Sequence, residues 1–513
     1  MIRFVFALML LLAGFARPAM AAAAAPLQAA DEDIAAFFDE FIANKAAELE
    51  IPGAAVVVVR DGRVILGKTY GYADFATREP LDLETSLFRA ASISKLLPWL
   101  LVMQGVEEGR LDLDRDIQDY LDFRVPEAFG KPITLRHLMT HTAGFPERFH
   151  GVFDPDLETP LGRKLAENLP ERVNPPGSVV AYSNYGAALA GYIVQRQLGE
   201  PWEALVQSRV FDRIGMRHAT VAQPVPVAMQ ADLVLTYPSD SNEPAPFRTT
   251  PLAPMGSLTA SAADMGRLLQ MLSRQGQGAN GQVVAADTLA SMMSLQRPLG
   301  PGLADGLGLG FLVGEYRGVR YAGHAGNMST LATDLEVLPD HGLAWYYVFS
   351  AQGPGEQARK VRRELLQATV DRFVAKTPPT LQALDPSSAE AVAGGYISSR
   401  RLHSGPLMFS GLMDQVRVTA LPNGGLEIEA SGSVSQWLPA GPDRFVDAAS
   451  GTPLAVSRDG IQCRQAIFAD GHDLEVRPRC AQLLLQRAAL APASRRVRGL
   501  VLVPTRELAA QVG

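Results

Sequence analysis

Ser92 and Lys95 stand three residues apart in Ala91-Ser92-Ile93-Ser94-Lys95, where an apolar, helix-periodic run begins. Residues three apart share one face of a helix and neighbours do not, so Ser92 can meet Lys95 while Ser94 points elsewhere. A serine hydroxyl is a poor nucleophile at neutral pH, and a lysine activates it only when burial or nearby positive charge makes its ammonium ready to give up a proton. The chemistry such a pair offers is nucleophilic attack with a covalent intermediate. Taken alone, the same spacing also describes a helix cap followed by a surface lysine. Two further groups accompany it: Tyr182-Ser183-Asn184, just before a helical stretch that ends near Gly199, and His324-Ala325-Gly326 in strand-like sequence. Singly, Tyr182 reads as a capping-region tyrosine, Asn184 as a turn or N-cap residue, and His324 as a half-buried strand histidine.

In this order and spacing the three groups resemble the serine β-lactamase and penicillin-binding protein superfamily, with its Ser-x-x-Lys, Tyr-x-Asn and Lys/His-x-Gly elements. The stretches "EEGRLDLDRDIQDYL" (107–121), "ITLRHLMTHTAGF" (133–145), "PPGSVVAYSNYG" (175–186) and "PMGSLTASAADMGRLLQML" (254–272) resemble its class C β-lactamase-like branch, which includes the family VIII carboxylesterases. The resemblance runs over about residues 30–375. It implies that Ser92 attacks a carbonyl and is acylated, that Lys95 and Tyr182 share proton transfer, and that Asn184 holds the lysine and a substrate amide or carbonyl. It also implies an oxyanion hole made by the backbone N–H groups of Ser92 and Asn327, with Gly326 leaving room for substrate against the strand. Neither a metal nor a cofactor is implied. His141, in the "HTAGF" stretch, is expected to serve structure, with contact to substrate the alternative, since this segment lies beside the site in class C relatives.

Three features depart from the β-lactamase pattern or test it. His324 replaces the lysine usual in true β-lactamases, and a histidine of ordinary pKa, about 6.5, is mostly neutral at pH 7, which weakens any preference for anionic substrates. Pro98 follows Ser92 by under two turns and removes a helical hydrogen bond to the Ser94 carbonyl, which predicts a local kink. No Gly-x-Ser-x-Gly elbow is present, which argues against an α/β-hydrolase. The expected function is an exported serine hydrolase acting on small esters. The alternatives are a β-lactamase or D-amino-acid peptidase using the same site, or a penicillin- or cell-wall-binding protein that acylates without turnover.

The elements that must position these residues read as an α+β fold: an antiparallel sheet flanked by helices, an all-helical region, and a small C-terminal β domain. "DIAAFFDEFIANKAAELE" has helical spacing and leads into two β-branched runs around Asp61-Gly62, a strong hairpin signal. Residues 85–300 read mostly as helix with proline-rich connections, and Ser261-x-x-Asp264 opens a helix closing near Gly276. Strand character returns over 306–351 and a helix follows at about 356–375, so one sheet draws strands from both ends of the domain. The domain limits expected are 30–375 for the hydrolase, 376–390 for a linker, and 391–490 for the β domain, with a hairpin at Asn423-Gly424.

At the start, Arg3, the apolar run Phe4–Phe15 and Ala19-Met20-Ala21 have the layout of a secretory signal, residues 1–21, cleaved after Ala21. The run is shorter than the ~20 apolar residues a spanning helix needs, so a periplasmic or secreted protein without a stable membrane anchor is expected. With 47 Lys+Arg against 54 Asp+Glu the net charge is -7, which gives no reason to expect nucleic acid as a partner; a small ester or amide is the expected one. Cys463 and Cys480 could pair in an oxidising compartment or remain core thiols. The end, "RRVRGLVLVPTRELAAQVG", resembles a motif of DEAD-box RNA helicases, but the chain has no phosphate-binding loop or Asp-Glu-Ala-Asp segment; residues 491–513 read as a non-functional tail.

Overall fold

The computed structural model describes residues 27–147, 156–374, 387–398 and 416–476, apart from short gaps at 239–240, 242, 301–302, 353–354, 431–432, 442–443, 450–452, 460–461 and 469–472. The proposed leader, the helicase-like tail and Cys480 lie outside the described residues.

Helix α1 (Asp31–Glu48) buries Ile34, Phe38 and Ile42, a four-residue spacing that makes one apolar stripe. Strands β1 (Gly53–Arg60) and β2 (Arg63–Asp74) follow as a hairpin, with Asp61 and Gly62 both at positive φ, 49° and 73°, as a two-residue turn of this type requires. β1 is buried on both faces. Ala55, Val57 and Val59 face one core, whereas Ala54, Val56 and Val58 face a second.

The other half of the sheet comes from far along the chain: β5 (Leu312–Tyr316), β6 (Val319–Met328), β7 (Leu331–Leu338) and β8 (Leu343–Phe349). Antiparallel pairing of β1 with β8, from Ala54 opposite Phe349 to Arg60 opposite Leu343, joins the two halves. The nine-stranded sheet runs Glu79–Pro80, β2, β1, β8, β7, β6, β5, Gly306–Leu307, Arg297–Pro298. α1 and helix α5 (Gly355–Phe373) cover one face. Helices α2 (Leu96–Glu107), α3 (Asn184–Leu198) and α4 (Ala262–Ser273) build the larger core on the other. The Ser261 hydroxyl caps α4 by accepting from the Asp264 N–H at 3.2 Å, the contact its Ser-x-x-Asp pattern predicts.

Between α1 and α5 the chain also forms a small sheet that its sequence does not announce: β3 (Leu87–Arg89), β4 (Thr259–Ser261) and Ala219–Thr220, with β4 in the centre. β3 delivers the chain directly to Ser92. Beyond α5, strands β9 (Gly394–Ser398), β10 (Val416–Ala420), β11 (Leu426–Ala430), β12 (Ser433–Gly441), β13 (Arg444–Asp447), β14 (Pro453–Asp459), β15 (Gln462–Phe468) and β16 (Asp473–Val476) close into an antiparallel barrel. The barrel has its own apolar core around Tyr396, Ile428, Trp437 and Phe445. Among the described residues no helix is long and apolar enough to cross a membrane.

Candidate active site

Arg89 pairs with Thr259, and the chain then turns sharply through Ala91, whose φ is 47°, a left-handed conformation that costs a residue with a Cβ roughly 1–2 kcal/mol. Three contacts around the turn hold it: Ala90 N–H donates to the Leu258 carbonyl at 2.9 Å, Ser94 Oγ donates to the Ala91 carbonyl at 2.5 Å, and Leu258 N–H donates to Ser94 Oγ at 2.9 Å. Residues Ala91–Lys95 form a 3₁₀ turn, in which positions three apart eclipse one another. Ser92 and Lys95 therefore stack, and Lys95 Nζ donates to Ser92 Oγ at 3.0 Å. Ser94, buried and bonded to backbone, is a strut of the turn. The helix becomes α at Leu96, so Pro98 falls in its first turn, where a missing N–H costs little; the expected kink takes the form of a change of helix type.

Lys95 is fully buried, while Ser92 and Tyr182 are half-buried. The Lys95 ammonium donates a second bond, 2.7 Å, to the Met255 carbonyl and lies 5.1 Å from the centre of the Tyr182 ring. Tyr182 is presented by the N-terminus of α3, which starts where Ser183 Oγ accepts from the Gly186 N–H at 3.1 Å. From the sheet, β6 brings His324 to 6.3 Å from Tyr182, ring centre to ring centre. His324 is buried, its Nδ1 is 2.8 Å from the Ala325 carbonyl, and its Nε2 has no hydrogen-bond partner among the described residues. The Nδ1 contact assigns the proton to that nitrogen and leaves Nε2 a lone pair. Burial, with help from the Lys95 charge, pushes the His324 pKa down to about 3, so the ring is neutral well below pH 7.

This arrangement of a serine, a buried lysine, a tyrosine at a helix start and a histidine on the sheet spans elements from residue 87 to residue 328. A family model described as Beta-lactamase matches residues 38–369, which include all of it. The chain belongs to the beta-lactamase family. It is similar to "Penicillin-binding protein 4" of Amycolatopsis lactamdurans, 27% identical over 320 residues, 58% of this chain and 80% of that protein. It is also similar to "Esterase EstB" of Burkholderia gladioli, 28% identical over 261 residues, 45% of this chain and 66% of that protein. Among solved structures, the octameric penicillin-binding protein homologue from Pyrococcus abyssi superposes with a TM-score of 0.57 at 20% identity, covering 86% of this chain and 99% of that one, a likeness of fold.

Within this beta-lactamase-family serine hydrolase, four residues have partners that the motifs alone do not name. Asn184 Nδ2 donates to Glu147 Oε1 at 3.3 Å, and Lys95 is held by the Met255 carbonyl. Asn327 is exposed, and its Oδ1 accepts from Arg362 of α5 at 3.1 Å. A Cβ on Gly326 would collide with the Ala90 carbonyl and Thr333 Oγ1 and press on Ala91. On the side a Cβ would take, Gly326 thus packs against the serine turn itself. Thr333 Oγ1 bonds to the Ala90 carbonyl at 3.3 Å across the same contact. Glu147 and Met255 adjoin or lie within the motif stretches; Arg362, one of several charges on α5, carries no such signal.

Proposed function

We propose that the chain is an exported serine hydrolase that cleaves small esters through an acyl-enzyme on Ser92. The observation that carries the reading is the 3.0 Å contact of Ser92 Oγ with a fully buried lysine whose neighbours are Tyr182 and a neutral His324. Ser92 Oγ attacks the ester carbonyl as its proton passes to the deprotonated member of the Lys95–Tyr182 pair, the Tyr182 phenolate beside the lysine ammonium or the Lys95 amine beside the phenol. The backbone N–H groups of Ser92 and Asn327 receive the developing oxyanion, each such donor being worth about 10²–10³ in rate. Collapse breaks the ester C–O bond, the alcohol leaves with the transferred proton, and a water then cleaves the acyl-enzyme by the same steps in reverse roles.

Ester preference is supported by His324. A neutral imidazole supplies no fixed charge for a substrate carboxylate, and its burial keeps it neutral across the working range. Export is supported by the leader-like residues 1–21. A second reading, hydrolysis of β-lactams or D-amino-acid peptides, is favoured by the penicillin-binding relative.

The test is the ratio of kcat/KM for a short-chain nitrophenyl ester and a chromogenic cephalosporin, with Ser92→Ala as control. The expected result is an ester advantage of about 10²-fold or more, abolished in Ser92→Ala. A cephalosporin rate equal to the ester rate would move the assignment to β-lactamase. Full activity in Ser92→Ala would remove the serine mechanism altogether.

A further inference from the structure

Three separate parts of His141 address the segment Ala181–Ser183. Its carbonyl accepts from the Ala181 N–H at 2.8 Å, and its Nδ1 accepts from the Ser183 N–H at 3.2 Å. Between those bonds, its ring lies over the ring of Tyr182 with centres 4.3 Å apart and planes 34° from parallel. A backbone φ of 51° just past the short helix Leu135–Met139 is what lets carbonyl and side chain face the same segment. The strain of that conformation persists because the surroundings over-determine it: Trp99 packs edge-on at 6.3 Å, and His141 is 4% exposed. The next residues of the loop continue the grip, Thr142 accepting from Gly177 N–H at 2.8 Å and Gly144 from Val173 N–H at 2.9 Å.

We propose that His141 is a positioning residue for Tyr182, fixing the angle of the phenol relative to Ser92 and Lys95. The inference rests on the reading of Tyr182 as a proton-transfer residue. Accepting from a backbone N–H requires a lone pair on Nδ1, so His141 acts as the neutral tautomer with its proton on Nε2. Lys95 lies 5.1 Å from the ring centre of the tyrosine that His141 stacks upon. Tyr182 thus has both an imidazole plate and the Lys95 side chain against its ring. Without the plate the phenol can rock, and displacement of a reacting group by about 1 Å costs about 10²-fold in rate.

The experiment is a double-mutant cycle on the full chain, read as the single-turnover acylation rate of Ser92 by an activated ester, followed by mass spectrometry. His141→Asn is the variant of choice, since asparagine tolerates positive φ and offers an acceptor near the Nδ1 position but no ring. The expected result is a loss of about tenfold or more in rate with KM within about twofold, and a change of less than about twofold when Tyr182 is already Phe. Equal losses in both backgrounds, or a loss confined to KM, would overturn the positioning role while leaving the proposed function standing. Full activity in Tyr182→Phe would instead remove Tyr182 from the mechanism. Should His141→Asn fail to fold, imidazole ¹⁵N NMR of the unmodified protein decides: an unprotonated Nδ1 is expected, and a protonated one contradicts the lock.

Discussion

Ser92 and Ser94 are two positions apart and carry opposite duties. Ser92 is half-buried and its Oγ accepts from Lys95, whereas Ser94 Oγ closes two hydrogen bonds inside the turn. Ser92→Ala is therefore expected to abolish turnover with an unchanged unfolding midpoint. Ser94→Ala leaves the buried Leu258 N–H without its acceptor and is expected to cost about 1–3 kcal/mol of stability while Ser92 remains acylable. Thermal unfolding and mass-spectrometric labelling of both variants check the pair of outcomes. His324 gives a second test. With its pKa pushed down to about 3 by burial, it stays neutral from pH 8 to pH 5, and KM for an uncharged ester should show no inflection near pH 6.5. An inflection there that vanishes in His324→Gln would mean the ring titrates as an ordinary histidine.

The contact between sheet and serine turn is made by small groups. Gly326 on β6 abuts Ala90 and Ala91, and Thr333 on β7, opposite Gly326 in the pairing, bonds to Ala90. Gly326→Ala has to push β6 away from the turn, and overpacking of this kind typically costs about 1–3 kcal/mol. If the Asn327 N–H serves the oxyanion as proposed, it moves with the strand and acylation should fall by about 10²-fold, the loss expected for one such donor. Stopped-flow acylation with an activated ester measures it; a rate within about twofold of the parent would separate strand position from oxyanion binding. The hairpin at Asp61-Gly62 and the cap at Ser261 were legible because both are local, set by residues within four positions of one another. The β3–β4 sheet was not. Strands of two or three residues have no readable period, and the partners of β3 and β4 are drawn from distant parts of the chain.

Among the described residues the buried apolar side chains divide into clusters, none of which contains residues from both sides of the stretch 375–386. The hydrolase clusters contain residues up to Val374, and the barrel core spans Ala389 to Val456. Separate cores predict separate cooperative units. Calorimetry of the full chain should resolve two transitions, and a chain ending at residue 374 should keep kcat/KM for a small ester within about tenfold. A single transition, or an inactive shortened chain that is folded by circular dichroism, would instead make the barrel part of the site.

The linear order of residues determined the family pattern and the two-ended sheet and marked Ser92 as the candidate nucleophile, because Ser-x-x-Lys, Tyr-x-Asn and His-x-Gly are identities at fixed spacing and strand periodicity is local. Tertiary structure alone decided the rest. The Met255 carbonyl that holds Lys95 has no side-chain signature, since every residue offers a carbonyl. Glu147 became the partner of Asn184 through a loop-to-helix approach of 37 residues. The neutrality of His324 and the grip of His141 on Tyr182 follow from burial and from a left-handed backbone angle, quantities that exist only once the chain has folded.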